Sequence, residues 1–182
     1  MYPTLSLLTS LTSHLSPLTS HLSPLIMYSL FRRQRLPISI QDAWAFFSNP
    51  VNLATITPEY MRFQVKTDPE HLQKIYAGQI ISYTVRPLLG IPLFWMTEIT
   101  HVEEGVFFVD EQRFGPYTFW HHQHRFTPVE GGVEMTDLVH YKLPLGPLGR
   151  LANWLFVRRQ LQGIFDYRWN KLESLFGKMK QA

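Results

Sequence analysis

His122 and His124 stand two residues apart in the run Tyr117-Thr-Phe-Trp-His-His-Gln-His-Arg-Phe126. Alternate residues of an extended strand share a face, so both imidazoles point the same way, along with Thr118, Trp120 and Phe126. The flanking runs offer partners on single faces: Phe108, Asp110 and Gln112 before it, and Met135, Asp137, Val139 and Tyr141 after it. Two imidazoles beside carboxylates have three uses. They can move protons, with Asp137 or Asp110 fixing a tautomer, which makes His122, His124 and Asp137 the candidate catalytic groups. They can hold zinc or iron as two imidazoles and a carboxylate. Or they can satisfy one another by hydrogen bonds and anchor the polar end of a ligand. The third use is the expectation, because buried imidazoles and carboxylates are costly unless paired and usually pair with each other. No metal and no cofactor is expected. His121 points to the opposite face, which leaves two histidines rather than a His-rich tract; His101 and His140 read as solvated or edge residues.

Two turns decide whether these groups meet. A two-residue turn at Glu130-Gly131 or Gly131-Gly132 pairs even with odd positions across the last hairpin. His124 then faces Asp137 or Val139, and Asp137 joins the face of His122 and His124. A slip of one residue would separate them. Asp110 joins only if the Gly115-Pro116 link has an odd number of residues or a bulge. The face with Phe108, Trp120, Phe126, Met135, Val139 and Tyr141 is rich in large apolar groups, whereas Gln123, Arg125, Glu134, His140 and Lys142 lie opposite. The first face is therefore inside and carries the polar cluster with it.

Residues 31–38 read as an opening strand. Ser39 is a helix N-cap with Asp42 three residues on, and residues 40–47 place Ala43, Trp44 and Phe47 at helical spacing. A second short helix spans 51–56. Six strands follow, at 61–67, 79–85, 93–102, 106–114, 117–126 and 133–143, separated by Gly, Pro and Asp turns. A long helix from 148 to about 176 closes the chain, with Leu151, Leu155, Leu161, Phe165, Leu172 and Phe176 as an apolar stripe. Strands joined by short links are antiparallel neighbours. The fold class is α+β: a seven-stranded curved antiparallel sheet wrapped on a long C-terminal helix, with two short helices after the first strand. The helix covers the concave face and leaves a cavity beneath it.

Several motifs now read together: Asp110-x-Gln112, Gly115-Pro116-Tyr117, Trp120-x-His122-x-His124-x-Phe126, Asp137-x-Val139-x-Tyr141-x-Leu143-Pro144 and Ile164-Phe165-Asp166-Tyr167-Arg168. In these the chain resembles the helix-grip superfamily of START, pollen-allergen-like and polyketide-cyclase/dehydrase and lipid-transport proteins (the SRPBCC group). It is most similar to a bacterial ligand-binding branch, related to a domain fused to some epimerase-like proteins. The likeness spans residues 31–176. It implies the helix-grip fold and a cavity for a hydrophobic or amphipathic small molecule, and it implies no settled reaction. The ligand-binding candidates are Asp110, Gln112, Trp120, His122, His124, Phe126, Asp137, Tyr141 and Phe165. The expected function is binding or carriage of such a molecule rather than catalysis. The alternative is a cyclase- or dehydratase-type enzyme with a cavity histidine as general acid or base, and a weaker third reading is a docking module with a relic pocket.

Composition bounds the rest. A chain of 182 residues, 45% hydrophobic, suits one globular domain. The absence of cysteine excludes disulfides, thiolate metal sites and a cysteine nucleophile. Residues 1–26 repeat Leu-Thr-Ser-His-Leu-Ser-Pro and carry no Asp, Glu, Lys or Arg. They are expected to be a disordered tail or a mis-assigned start, a targeting role being weaker, with residues 27–182 as the single ligand-binding domain. The net charge of +3 is spread out, and Arg32-Arg33-Gln34-Arg35 and Arg158-Arg159 are too short for a nucleic-acid stripe. Partners are thus a hydrophobic small molecule and no nucleic acid, in the cytoplasm, with the oligomeric state open. The apolar stretches 88–95 and 143–149 either gate the cavity or make transient membrane contact, or they pack on each other. Arg168 reads first as a helix-surface residue reaching Asp166 or Glu173, and otherwise as a cation closing the cavity on an acidic ligand group.

Overall fold

A computed structural model describes residues 27–87 and 90–180. The repeated leader and the residues Leu88-Leu89 of the first apolar stretch lie outside the described residues. The order is β1 (Tyr28–Leu36), α1 (Ile40–Phe47), β2 (Gln64–Val65), β3 (Gln79–Val85), β4 (Leu93–Glu103), β5 (Phe107–Phe114), β6 (Phe119–Val129), β7 (Gly132–Lys142), α2 (Pro147–Ala152), a π turn (Asn153–Val157) and α3 (Arg158–Phe176). Short 3-10 turns occupy Pro50–Leu53, Glu59–Met61 and Pro69–His71. The sheet runs β1-β7-β6-β5-β4-β3-β2, and every neighbouring pair is antiparallel. It is the α+β helix grip expected. The second short helix is a single 3-10 turn, and the strand expected over 61–67 shrinks to two residues, because Glu59–Met61 is a 3-10 turn and Arg62 adopts left-handed φ at 44°.

Ser39 caps α1 by accepting the Asp42 N–H at 3.0 Å. Ser39→Ala is expected to lower stability by about 1 kcal/mol, read as a shifted urea midpoint with unchanged slope. The cap aims Trp44 at the sheet, where its ring meets Phe108 and Phe126 edge-on at 6.0 and 5.8 Å. The Glu130-Gly131 turn joins Val129 to Gly132, with Gly131 at φ 78°, so β6 and β7 pair even with odd positions. Gly132 is also a point of close approach: a Cβ there would collide with the Leu36 carbonyl.

The apolar stripe of the last helix is corrected in its first part. Leu161, Phe165 and Leu172 are buried against the sheet, but Leu151 and Leu155 are 51% and 55% exposed. The π turn at Asn153–Val157 adds a residue to one helical turn and rotates everything before it out of phase with α3. No described helix is long and apolar enough to cross a membrane.

Candidate functional site

Strand register brings the polar cluster together. His124 lies opposite Asp137 across β6–β7, and Asp110 lies opposite His122 across β5–β6. The last pair of β5–β6 is Glu111 with His121, and an odd number of residues separates them, which is the condition for Asp110 to turn inward. His121 faces outward and sits 2.8 Å from Glu111.

The two imidazoles bridge the two carboxylates. His122 Nε2 is 2.9 Å from Asp137 Oδ1, and its Nδ1 is 3.4 Å from Asp110 Oδ2. His124 Nε2 is 3.0 Å from Asp110 Oδ2; its Nδ1 is 2.9 Å from Asp137 Oδ1, yet out of line for a hydrogen bond. Trp120 Nε1 donates to Asp110 Oδ1 at 3.4 Å. Phe108 stacks on His124 with centroids 4.2 Å apart, and Phe165 of α3 meets His122 edge-on at 5.7 Å. Above Asp137, Arg168 Nη1 is 3.9 Å from Oδ1, and the guanidinium lies 4.8 Å from the Phe165 ring.

Burial would push both carboxyls up, but the histidines win and hold both below the usual carboxylate range. For Asp110 the charge on His122 and the hydrogen bond to His124 do this. For Asp137 the hydrogen bond from His122 and the close charge of His124 do it. The imidazoles split. Burial and the charge of His124 push His122 down. His124 is held above the ordinary value, because its hydrogen bond to Asp110 and the nearby Asp137 carboxylate outweigh burial. The buried cluster thus sets two carboxylates against two imidazoles of unequal proton affinity, with the Arg168 guanidinium beside them. Its acid and its base differ in proton affinity, the pattern that proton-transfer sites use.

These groups end a cavity of about 330 Å³ between the sheet and α3. Its wall is mostly aromatic and aliphatic: Phe47 from α1, Ile81 and Tyr83 from β3, Trp95 from β4, Trp120 from β6, and Leu161 and Ile164 from α3. Asp110, Trp120, His122, His124 and Phe165 line it as the sequence places them; Gln112, Phe126, Asp137 and Tyr141 do not. Asp137, 1% exposed, stands behind the imidazoles and orients them. Gln112 exchanges hydrogen bonds with the Tyr117 backbone and so braces the β5–β6 loop that presents the Tyr117 ring. Phe126 packs in the core against Trp44 and Phe47. Tyr141 donates to Asn153 Oδ1 at 2.9 Å and ties β7 to the π turn.

Arg168 is the correction. It is 8% exposed and part of the cavity wall, not a helix-surface residue. Arg32 pairs with Asp166 at 3.1 Å and Trp169 donates to Glu173, while Arg168 turns inward to Asp137 at 3.9 Å. Its Nε is buried with no hydrogen-bond partner among the described residues. Sequence reasoning also passes over Tyr83 and Thr97. Tyr83 Oη lies 2.9 Å from Thr97 Oγ1, and Trp95 Nε1 donates to the same oxygen at 3.1 Å, a second polar spot on the cavity wall. Asp110, His122 and His124 each bring one ligand atom to within 4.8 Å of the others, a set able to hold a divalent cation, although the same atoms also engage one another.

The sequence matches no family model and no curated protein. The fold has many counterparts among solved structures. CV1439 from Chromobacterium violaceum superposes at TM-score 0.63 with 12% identity, over 84% of this chain and 99% of that one. Ms6760 from Mycobacterium smegmatis gives 0.59 at 15% identity, covering 81% and 89%. Ara h 8.0201 gives 0.52 at 14%, covering 81% and 99%. A nucleoside-diphosphate sugar epimerase from Corynebacterium glutamicum matches 80% of this chain through only 28% of its own, at TM-score 0.55 and 18% identity. At these identities the likeness is one of fold.

Proposed function

We propose that the chain binds and carries a hydrophobic or amphipathic small molecule, with its apolar body between the sheet and α3 and its polar group at the Asp110–His122–His124 end. The observation that carries this is a mostly apolar cavity ending in a cluster of paired imidazoles and carboxylates. Apolar walls supply affinity, and a few placed polar groups fix orientation. A hydroxyl, carbonyl or amine suits this end: Asp110 accepts, while His122 and His124 accept or donate according to protonation. Protein purified from its own host should carry one small organic molecule per chain in native mass spectrometry, released on denaturation.

A second reading is favoured by the divided proton affinities of His122 and His124: a cyclase- or dehydratase-type reaction with His122 as base and His124 as acid. His122→Gln and His124→Gln separate the two. A carrier keeps its ligand with affinity changed by only a few-fold, about 1 kcal/mol for a lost neutral hydrogen bond. An enzyme keeps affinity and loses turnover by ~10²–10⁴.

A further inference from the structure

Burying an apolar side chain is the usual outcome for a helix in a domain of this size, and α2 with the π turn does the reverse. Leu148, Leu151, Trp154 and Leu155 are exposed, Trp154 at 78%, and Leu145 in the approach to α2 is 74% exposed. Phe156, also exposed, stands in the cavity wall, and the cavity is open to the surface. The charge around this patch has one sign. Between Asp137 and Asp166 the chain has Lys142, Arg150, Arg158 and Arg159 and no acidic residue. The three arginines are exposed beside the apolar side chains. Ile91, in the loop that leads to β4, is exposed as well, and Gln160 of α3 donates to the Pro87 carbonyl in the cavity wall.

We infer that α2 and the π turn form a docking surface for an anionic lipid bilayer, seated with Leu148, Leu151, Trp154 and Leu155 in the interface and Arg150, Arg158 and Arg159 at the headgroups. The composition fits an interfacial segment: leucine and tryptophan on the buried side, arginine at its border, no acid. Basic side chains add attraction to anionic headgroups. A second copy of the chain fits less well. A two-fold contact through this patch would bring its cations against the same cations of the partner, with no carboxylate from the segment to pair them. Docked this way, the opening beside Phe156 meets the bilayer, so an apolar ligand passes between lipid and cavity without crossing water. That last consequence rests on the carrier reading; the docking itself does not.

The test is co-sedimentation of the full chain with phosphatidylcholine vesicles, with and without about a third phosphatidylglycerol. Binding is expected to the anionic vesicles and to fall at least about tenfold when salt is raised to ~1 M, where the Debye length is ~3 Å. Leu151→Gln with Trp154→Gln should abolish it. Arg158→Glu with Arg159→Glu should remove the preference for phosphatidylglycerol. These side chains are exposed, so circular dichroism and melting temperature should match the parent's. Equal binding of the Leu151/Trp154 variant, no binding of the parent, or a dimer in sedimentation velocity that the same variant dissolves would each overturn the proposal. Binding of a soluble apolar probe without vesicles tests the cavity separately.

Discussion

Asp137→Asn lowers the stability of the domain by about 3–5 kcal/mol, the range for removing one partner of a buried ion pair. The substitution keeps the shape and removes the charge. His122 then loses its charged acceptor at 2.9 Å, and His124 and the Arg168 guanidinium are left in a buried site with Asp110 as its one carboxylate. Urea unfolding of both proteins measures the difference. The pH dependence fixes the cause. Asp110 and Asp137 titrate below their unfolded values, so the unfolded chain binds more protons in that window and stability rises with pH there. The carboxylates' contribution is fully present above about pH 4 and is lost as pH falls through the lowered folded values. The variant lacks one of the two groups and should show a shallower acid limb. His124 acts in the opposite sense: its raised value gives stability that is complete below about pH 6.5 and is lost as pH rises through the folded value. Without Asp137 that alkaline loss should shrink. A double change, Asp137→Asn with His124→Gln, should cost less than the sum of the two single changes, because they act on one network.

Ile164→Trp weakens binding of an apolar probe such as N-phenyl-1-naphthylamine at least about tenfold, or ~1.4 kcal/mol. Ile164 stands in the cavity wall on α3, half-buried, so a larger ring there extends into space the ligand needs. Overpacking a filled core costs ~1–3 kcal/mol of stability, whereas a ring entering an open cavity costs less. The expected pattern is therefore lost affinity with a melting temperature close to the parent's. Lost affinity together with a large drop in melting temperature would mean that the space is core rather than binding site.

The parts of the fold that local rules control are legible in the sequence. The Ser39 cap, the alternation in β6 and β7 and the Glu130-Gly131 turn each act through a few neighbouring residues, and they bring His124 opposite Asp137. Asp110 is legible only conditionally, because the longer connection through Gly115-Pro116 sets parity by how far β5 runs past its last pair with β6. Three features escape. Arg168 is buried beside the Asp137 carboxylate, and the cluster it joins exists only once three strands and a helix have met. Leu151 and Leu155 follow helical periodicity, yet the π turn, which has no sequence signature, moves them outside. Gln112 shares a face with Asp110, but it lies where β5 has left β6, and it holds a loop instead of a ligand.

A crystal structure of the protein grown with N-phenyl-1-naphthylamine addresses the carrier account most directly. It should show one probe molecule between the sheet and α3, its rings against Trp95 and Ile164 and its amine toward Asp110 and His122. Probe found only on the exposed face of α2, or a cavity collapsed shut around unmoved imidazoles, would contradict it.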